Sequence, residues 1–291
     1  MANLKLIWKN IANNAQLNSI GSSGHGSWVS TLPIENLKDR TIAKVARTSS
    51  DANADTKFHV DLLSALEFDH VALVNHNLSS AATLRVTVSA SVDLSSPLYQ
   101  SAWLPAYTTE FAPSVIEWEH DNWYFGMPGD ADLDRYQRTW ALTIPTLQTA
   151  RYISVEIKDA SNTDGYVQAG RLFVGKALTF LTNYDLGATV RWVDDTIISR
   201  AISGAIYADR RKKRRKFTFQ SSFITDNQAF QDLFELQRLL GVSGEVLVIP
   251  DADDAVNGFR RNFLGRLVTL DPIEHYKLDL NKQAFDIEEL I

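Results

Sequence analysis

Alternation of apolar and polar positions dominates the first 178 residues. In ATLRVTVSASV (82–92), Leu84, Val86 and Val88 share one face while Arg85 and Thr87 share the other, the period-2 pattern of a strand with one buried face. RYISVEIKDA (151–160) repeats it with Ile153, Val155 and Ile157. HVALVNHNL (70–78), WALTIP (140–145) and YVQAGRLFVGKAL (166–178) add further strands. SIGSSGHGS, SSDANAD and DASNTDG lie between them and have the composition of turns and loops. Many short strands without a helical stretch predict an antiparallel sandwich or jelly roll.

Past residue 178 the pattern changes. Strands are predicted at 188–193, 200–207 and 214–223, and again at 245–249, 262–270 and 275–287. Between the two groups lies TDNQAFQDLFELQRLLGVSG. Thr225 or Asp226 can cap a helix, Phe230, Leu233, Phe234 and Leu240 recur at helical spacing, and Gly241 or Gly244 stops it. This predicts one helix, 226–240, whose Phe230, Leu233 and Phe234 pack on the sheet. The expected organisation is two closely abutting, mainly β domains, 1–178 and 179–291.

Composition narrows the classes of function. The 291 residues are 45% hydrophobic and 22% charged, an ordinary globular balance. The chain has no cysteine, which excludes disulfide frameworks, thiol catalysis and cysteine-ligated zinc. MANLKLIWKN lacks the apolar core of a secretory signal, and no run approaches the ~20 apolar residues of a membrane helix. A soluble product assembled in a cytoplasm, with no membrane partner, is the expectation. Net charge is −6, and residues 179–291 hold 15 Lys and Arg against 17 Asp and Glu. A dedicated nucleic-acid binder carries a net basic domain, so nucleic acid is not the expected partner.

One segment opposes that acidic background. In YADRRKKRRKFTFQ, Arg210, Arg211, Lys212, Lys213, Arg214, Arg215 and Lys216 follow one another without a break. Both flanks have strand character. A strand puts Arg211, Lys213 and Arg215 on one side, and Phe217 and Phe219 share their parity, so a bulge or turn is expected before the core begins. The readings are a hairpin facing solvent or a neighbouring subunit, an arm for nucleic acid, and a targeting signal. In the first, carboxylates of a neighbour, such as those of PDADD or DIEEL, would meet the run.

Other clusters are weaker. Asp130, Asp132 and Asp134 alternate like the first ligands of a calcium loop, but Arg135 and Ala141 occupy the positions that need Gly and Glu. PDADDAVNG (250–258) fails in the same way, with Ala255 at its fifth position. Histidines 25, 59, 70, 76, 120 and 275 form no zinc spacing, and His70 and His76 flank a buried-looking strand, where each is expected to make a structural bond at a turn. GSSGHG (21–26) lacks the residues of a phosphate loop and reads as a flexible loop. In EWEHDNWYFGMPGD (117–130), Trp118, Trp123, Tyr124 and Phe125 crowd among carboxylates. They suit core packing under a loop, a protein interface, or stacking on a sugar. No catalytic constellation and no cofactor motif is present.

Words scattered along the chain carry a family likeness. The stretch from Trp28 through LPIENLKDRTIAKVARTS and FHVDLLSALEFDHVALVNHNLSSAATLRVTVS, with ARYISVEIKD and VQAGRLFVGKAL, resembles the galectin- or discoidin-like β-sandwich of tail proteins of long-tailed bacteriophages. RRKFTFQSSFI, the short helix, VLVIPD, NFLGRLV and the final FDIEEL resemble a tail-tube-like β-sandwich domain with one helix. The order of the two domains is the reverse of that usual in distal tail proteins. The resemblance implies a non-enzymatic structural virion protein of a tail tip or baseplate. It would assemble in the host cytoplasm into a ring, with a hexamer favoured, and would join the tail tube to the distal adsorption apparatus and other tail proteins. A carbohydrate-binding module for host attachment is the alternative, and a glycoside hydrolase with two carboxylates ~5–9.5 Å apart is a second.

Overall fold

The computed structural model of the chain describes residues 3–18, 24–107, 133, 136–254 and 257–291. The protein is mainly β, with 46% of residues in strands and 11% in helices, arranged in sandwich sheets. The strands are β1 (Lys5–Ile7), β2 (Gln16–Leu17), β3 (Ala46–Arg47), β4 (Lys57–Val74), β5 (Thr83–Ser89), β6 (Pro97–Gln100), β7 (Leu104–Pro105), β8 (Thr139–Lys158), β9 (Gln168–Ala169), β10 (Arg171–Gly175) and β11 (Leu178–Thr179). They continue as β12 (Thr189–Val193), β13 (Ile197–Arg200), β14 (Ile206–Asp209), β15 (Arg214–Thr225), β16 (Val246–Ile249), β17 (Phe263–Leu267), β18 (Glu274–Lys277) and β19 (Leu280–Glu289). Two compact units form, one from residues 1–178 with 247–263 and the other from 179–246 with 264–291. Residues 247–263, which the sequence pattern groups with the second domain, cluster with the first unit.

The main sheet of the first unit runs β10-β4-β8-β5-β6, with every neighbouring pair antiparallel. The alternation read from the sequence sets its two faces. Leu84, Val86 and Val88 lie opposite Ile157, Val155 and Ile153, and Phe58 and Val60 continue the last two rows on β4. All are at most 2% exposed. The segments 140–145 and 151–160, expected as two strands, are one 20-residue strand. Register shifts opposite it, at Asp61/Leu66 and Phe68/His70 of β4, absorb the bend. The glycine-rich stretch expected to be flexible ends in fixed backbone. Gly26 donates its N–H to the Lys57 carbonyl at 2.7 Å, and a Cβ there would lie 1.9 Å from the Asp55 carbonyl oxygen, so only glycine fits.

The second unit pairs β17-β19-β15-β12, with β18 on β19. Phe217, Phe219 and Phe285 stack face to face inside it, at centroid distances of 4.8 and 4.9 Å. Two expected strands are hairpins instead. The segment 275–287 turns at Asp279, which takes φ 57, and 200–207 contains the turn between β13 and β14.

The 226–240 helix forms, but with a π-turn at Gln228–Leu233 before α1 (Phe234–Leu240). Thr225 accepts from the Gln228 N–H at 3.4 Å, and Gly241 ends the helix at φ 54. Ala229, Leu233 and Leu236 face inward, while Phe230 and Phe234 are 47% and 53% exposed. The expected inward packing of the two phenylalanines is therefore wrong. The Ala229, Leu233, Leu236 stripe at i, i+4, i+7 fills the interior and leaves the rings on the outer side.

Candidate functional site: a polar face of the first-unit sheet

Because Leu84, Val86, Val155 and Phe58 take one face of β5, β8 and β4, the intervening residues must share the other. They line up in three cross-strand rows. Arg85, Glu156 and Lys57 are directly opposite one another, as are Thr87, Ser154 and His59, and Ser89, Tyr152 and Asp61. The middle row ends on β6, where the Gln100 amide donates to Thr87 Oγ1 at 3.2 Å. Burial lowers the His59 pKa, and the charges of His25 and Lys57 add to it against the opposing charge of Glu156. In the third row the Arg151 guanidinium grips Asp61 at 2.7 and 2.9 Å and lies 5.0 Å from the Tyr152 ring centre. That hydrogen bond holds the Asp61 carboxyl below its ordinary value.

An aromatic residue sits beside the first row. Trp103, half-buried, has the Arg85 guanidinium 4.6 Å and the Lys158 ammonium 3.8 Å from its ring centre. The two cations are held differently. Arg85 Nε donates to Glu156 at 2.8 Å and its Nη2 reaches the same oxygen, which fixes it in place. Lys158 is exposed and, among the described residues, its side chain makes only the cation–π contact, worth roughly 0.5–1 kcal/mol at such a site. The open part of the face thus combines an indole with a displaceable cap and a fixed guanidinium–carboxylate pair, while the Thr87–Ser154–His59 row is buried, at 9% exposure or less.

Two buried histidines were expected to make structural bonds. His76 Nδ1 accepts the Leu78 N–H at 3.4 Å, and burial, helped by the Arg138 charge, takes its pKa down to about 3. His70 lies between Asp69 (Nδ1, 2.6 Å) and Thr143 (Nε2, 3.0 Å), the order of a hydroxyl–imidazole–carboxylate relay. Burial would raise the Asp69 carboxyl, but the His70 and Ala177 hydrogen bonds carry it below its ordinary value. With 1% of His70 exposed, no substrate reaches the imidazole, and the trio is a strut across the β4 bulge.

The basic run is arranged unlike the expectation. The expected break falls inside the run, where residues 210–213 lie outside the strands, and β15 then pairs without a shift with β12 over Arg214–Thr218 and with β19 over Lys216–Ser221. Arg215 shares the inner face with Phe217 and Phe219 and forms an ion pair with Glu289, both side chains 2% exposed. A buried guanidinium survives there because the carboxylate of the last strand also accepts the Arg215 backbone N–H at 2.8 Å. Arg214 meets Asp195 and Glu288, Lys216 meets Asp286 at 2.6 Å, Lys213 meets Asp194 at 3.4 Å and Arg211 meets Asp209 at 3.8 Å. The acidic DIEEL segment expected on a neighbour is thus the intramolecular partner. Among the described residues, only Arg210 and Lys212 of the run lack an ion pair, and both are exposed.

Trp118, Trp123, Tyr124, Asp130, Asp132 and Asp134 lie outside the described residues. Among the described residues, no group of three or more His, Asp or Glu is placed to hold a metal ion, and no helix is long and apolar enough to cross a membrane. Sequence reasoning missed Trp103, Glu156 and His59 as a group. The outward parity of Arg85 and Thr87 was the available signal. Which strands stand side by side is not encoded in local alternation.

No family model matches the chain, and no curated relative matches it. Solved structures do. A mutant of the lectin-binding domain of lectinolysin, complexed with Lewis b, is 14% identical, covers 58% of this chain and 97% of its own, and has a TM-score of 0.37. CBM32-1 from a family 31 glycoside hydrolase of Clostridium perfringens gives 10%, 58%, 99% and 0.36. A chitosan-binding module of a chitosanase/glucanase from Paenibacillus sp. IK-5 gives 18%, 58%, 98% and 0.32. At these identities and TM-scores the likeness transfers no function, and the chemistry of the polar face has to carry the reading.

Proposed function

We propose that the first unit is a non-catalytic carbohydrate-binding module and that the polar face of β4, β8 and β5 receives the glycan. The carrying observation is Trp103 beside the fixed Arg85–Glu156 pair, capped by a displaceable Lys158. A sugar ring stacking on the indole replaces the Lys158 contact, and its hydroxyls exchange hydrogen bonds with the partly exposed Arg85 and Glu156, a mixture of apolar platform and few placed polar groups typical of ligand sites. Three cations, Lys57 and Arg85 of the first row and Lys158 over Trp103, stand against one carboxylate, Glu156, which favours acidic sugars. The test is a glycan array probed with the wild-type chain and with Trp103→Ala. Retention of an acidic oligosaccharide by the first and not the second supports the reading. Equal retention by both contradicts it.

The second reading is a structural subunit of a phage tail tip or baseplate that assembles with copies of itself and with other tail proteins. One observation favours assembly: β12 and β15 extend beyond the second-unit sheet as the β13–β14 ribbon, exposed on both faces. Host attachment through a glycan and assembly into a tail are compatible roles for two units of one chain. Sedimentation velocity tests the assembly: oligomers at micromolar concentration support it, and a monomer throughout contradicts it.

A further inference from the structure

The ribbon is the most unusual surface on the protein. Residues 194–213 leave the sheet where Val193 pairs with Arg214. β13 and β14 then pair from Ile197↔Asp209 to Arg200↔Ile206, and the turn closes with Gly204 at φ 83. Ile198, Ala208 and Ile206 point to one face, and Ile197 and Tyr207 to the other. Ile197, Ile198, Ile206 and Tyr207 are 53–66% exposed and Ile202, at the turn, is fully exposed. A lone two-stranded ribbon is marginal in water, and here neither apolar face is covered. Such a segment gains its stability by docking.

The second apolar surface of the same unit lies at the far end of β15. The ribbon departs from Arg214, whereas Thr225, eleven residues on, leads into the helix. At ~3.3 Å per residue the two ends stand roughly 35 Å apart. That far end carries Phe230 and Phe234, 6.4 Å apart, with His275 5.9 Å from Phe230. It also carries Phe223, which a bulge holds at φ 62, outward and against Tyr276. A phenylalanine at positive φ is strained, and the bulge spends that strain on presenting the ring.

We propose that the β13–β14 ribbon of one copy docks on the Phe230–Phe234 surface of a second copy. Charge supports a second copy as the occupant. Residues 194–213 hold five Lys and Arg against three Asp, a net +2, which leaves −8 on the remainder of a chain whose net charge is −6. The ribbon is therefore attracted to the body of another copy and not to its own kind. Ribbon and receiving surface are different patches at opposite ends of one strand, so the contact is head-to-tail. Such contacts close into rings or run on as filaments. This rests on the assembly reading and adds the surfaces that perform it.

The test uses the full chain, two double variants and sedimentation velocity. Ile198→Asp with Ile206→Asp alters the ribbon, and Phe230→Asp with Phe234→Asp alters the receiving surface. All four positions are exposed, and circular dichroism checks that each variant is folded. Each variant alone is expected to be monomeric, with self-association weakened ~30-fold or more. Mixed in equal amounts they should form a one-to-one dimer and nothing larger, since each retains the half the other lacks. A receiving-surface variant that self-associates like wild type overturns the docking mode while leaving assembly intact. A mixture that stays monomeric does the same. A wild-type chain that is monomeric throughout overturns both.

Discussion

Replacing Glu289 by Gln isolates the most consequential charge contact in the fold. Arg215 and Glu289 are joined at 2.5 Å with both side chains 2% exposed, and the same carboxylate holds the Arg215 N–H. Glutamine keeps the shape and an oxygen for the backbone bond but removes the counter-charge. Breaking a buried pair from one side costs about 3–5 kcal/mol, because a desolvated charge is left behind. That is a large share of the ~5–15 kcal/mol by which domains are stable. With a urea dependence of ~1–3 kcal/mol per molar, the unfolding midpoint of the second unit should fall by roughly 1–5 M. Hydrogen exchange of the β15 and β19 amides in a urea series reads this unit separately from the first. The partner experiment, Arg215→Met with Glu289→Leu, should recover most of the loss, since replacing both charges by apolar groups of similar size is often neutral or stabilising. If Glu289→Gln leaves the β15 amides as protected as in wild type, the account of the basic run as an internal zipper is wrong.

Two further outcomes follow from burial. Leu233→Ala should cost about 2–5 kcal/mol, while Phe230→Ala, at an exposed ring, should change the stability of the isolated chain by less than ~0.5 kcal/mol; denaturant midpoints of the two variants check the inward stripe. His76, held down to about 3 by burial, has a folded pKa below its unfolded value. Its contribution is fully present above pH ~6.5 and is lost as the pH falls toward the folded value, by up to ~1.4 kcal/mol per pH unit for one proton, and His76→Asn should flatten stability between pH 6 and 4 in urea titrations.

Much of the fold was legible because its signals are local. Alternation at Leu84, Val86, Val88 and at Ile153, Val155, Ile157 marked the core face of the sheet, and Thr225 and Gly241 bracketed the helix. What failed depended on tertiary context. The phenylalanines of the helix satisfy the spacing of an inner face, yet Leu233 and Leu236 satisfy it too, and the sequence does not rank the two stripes. Arg215 breaks the expectation that a charged strand residue faces water, because its partner lies 74 residues away on the last strand. The Trp103 site is assembled from β4, β5, β8 and the segment after β6, so no motif of fixed spacing announces it. The exposed ribbon was half visible: the basic run marked its base and Ile206 and Tyr207 fell in an expected strand, 200–207, while Ile197 and Ile198 fell in none and their openness on both faces had no local signal.

The most direct test of the central claim is a crystal structure of the chain with an array-selected acidic oligosaccharide bound. The account predicts a sugar ring stacked on Trp103, Lys158 displaced from the indole, and sugar hydroxyls hydrogen-bonded to Arg85 or Glu156. A sugar bound elsewhere, with the Lys158–Trp103 contact intact, would contradict it.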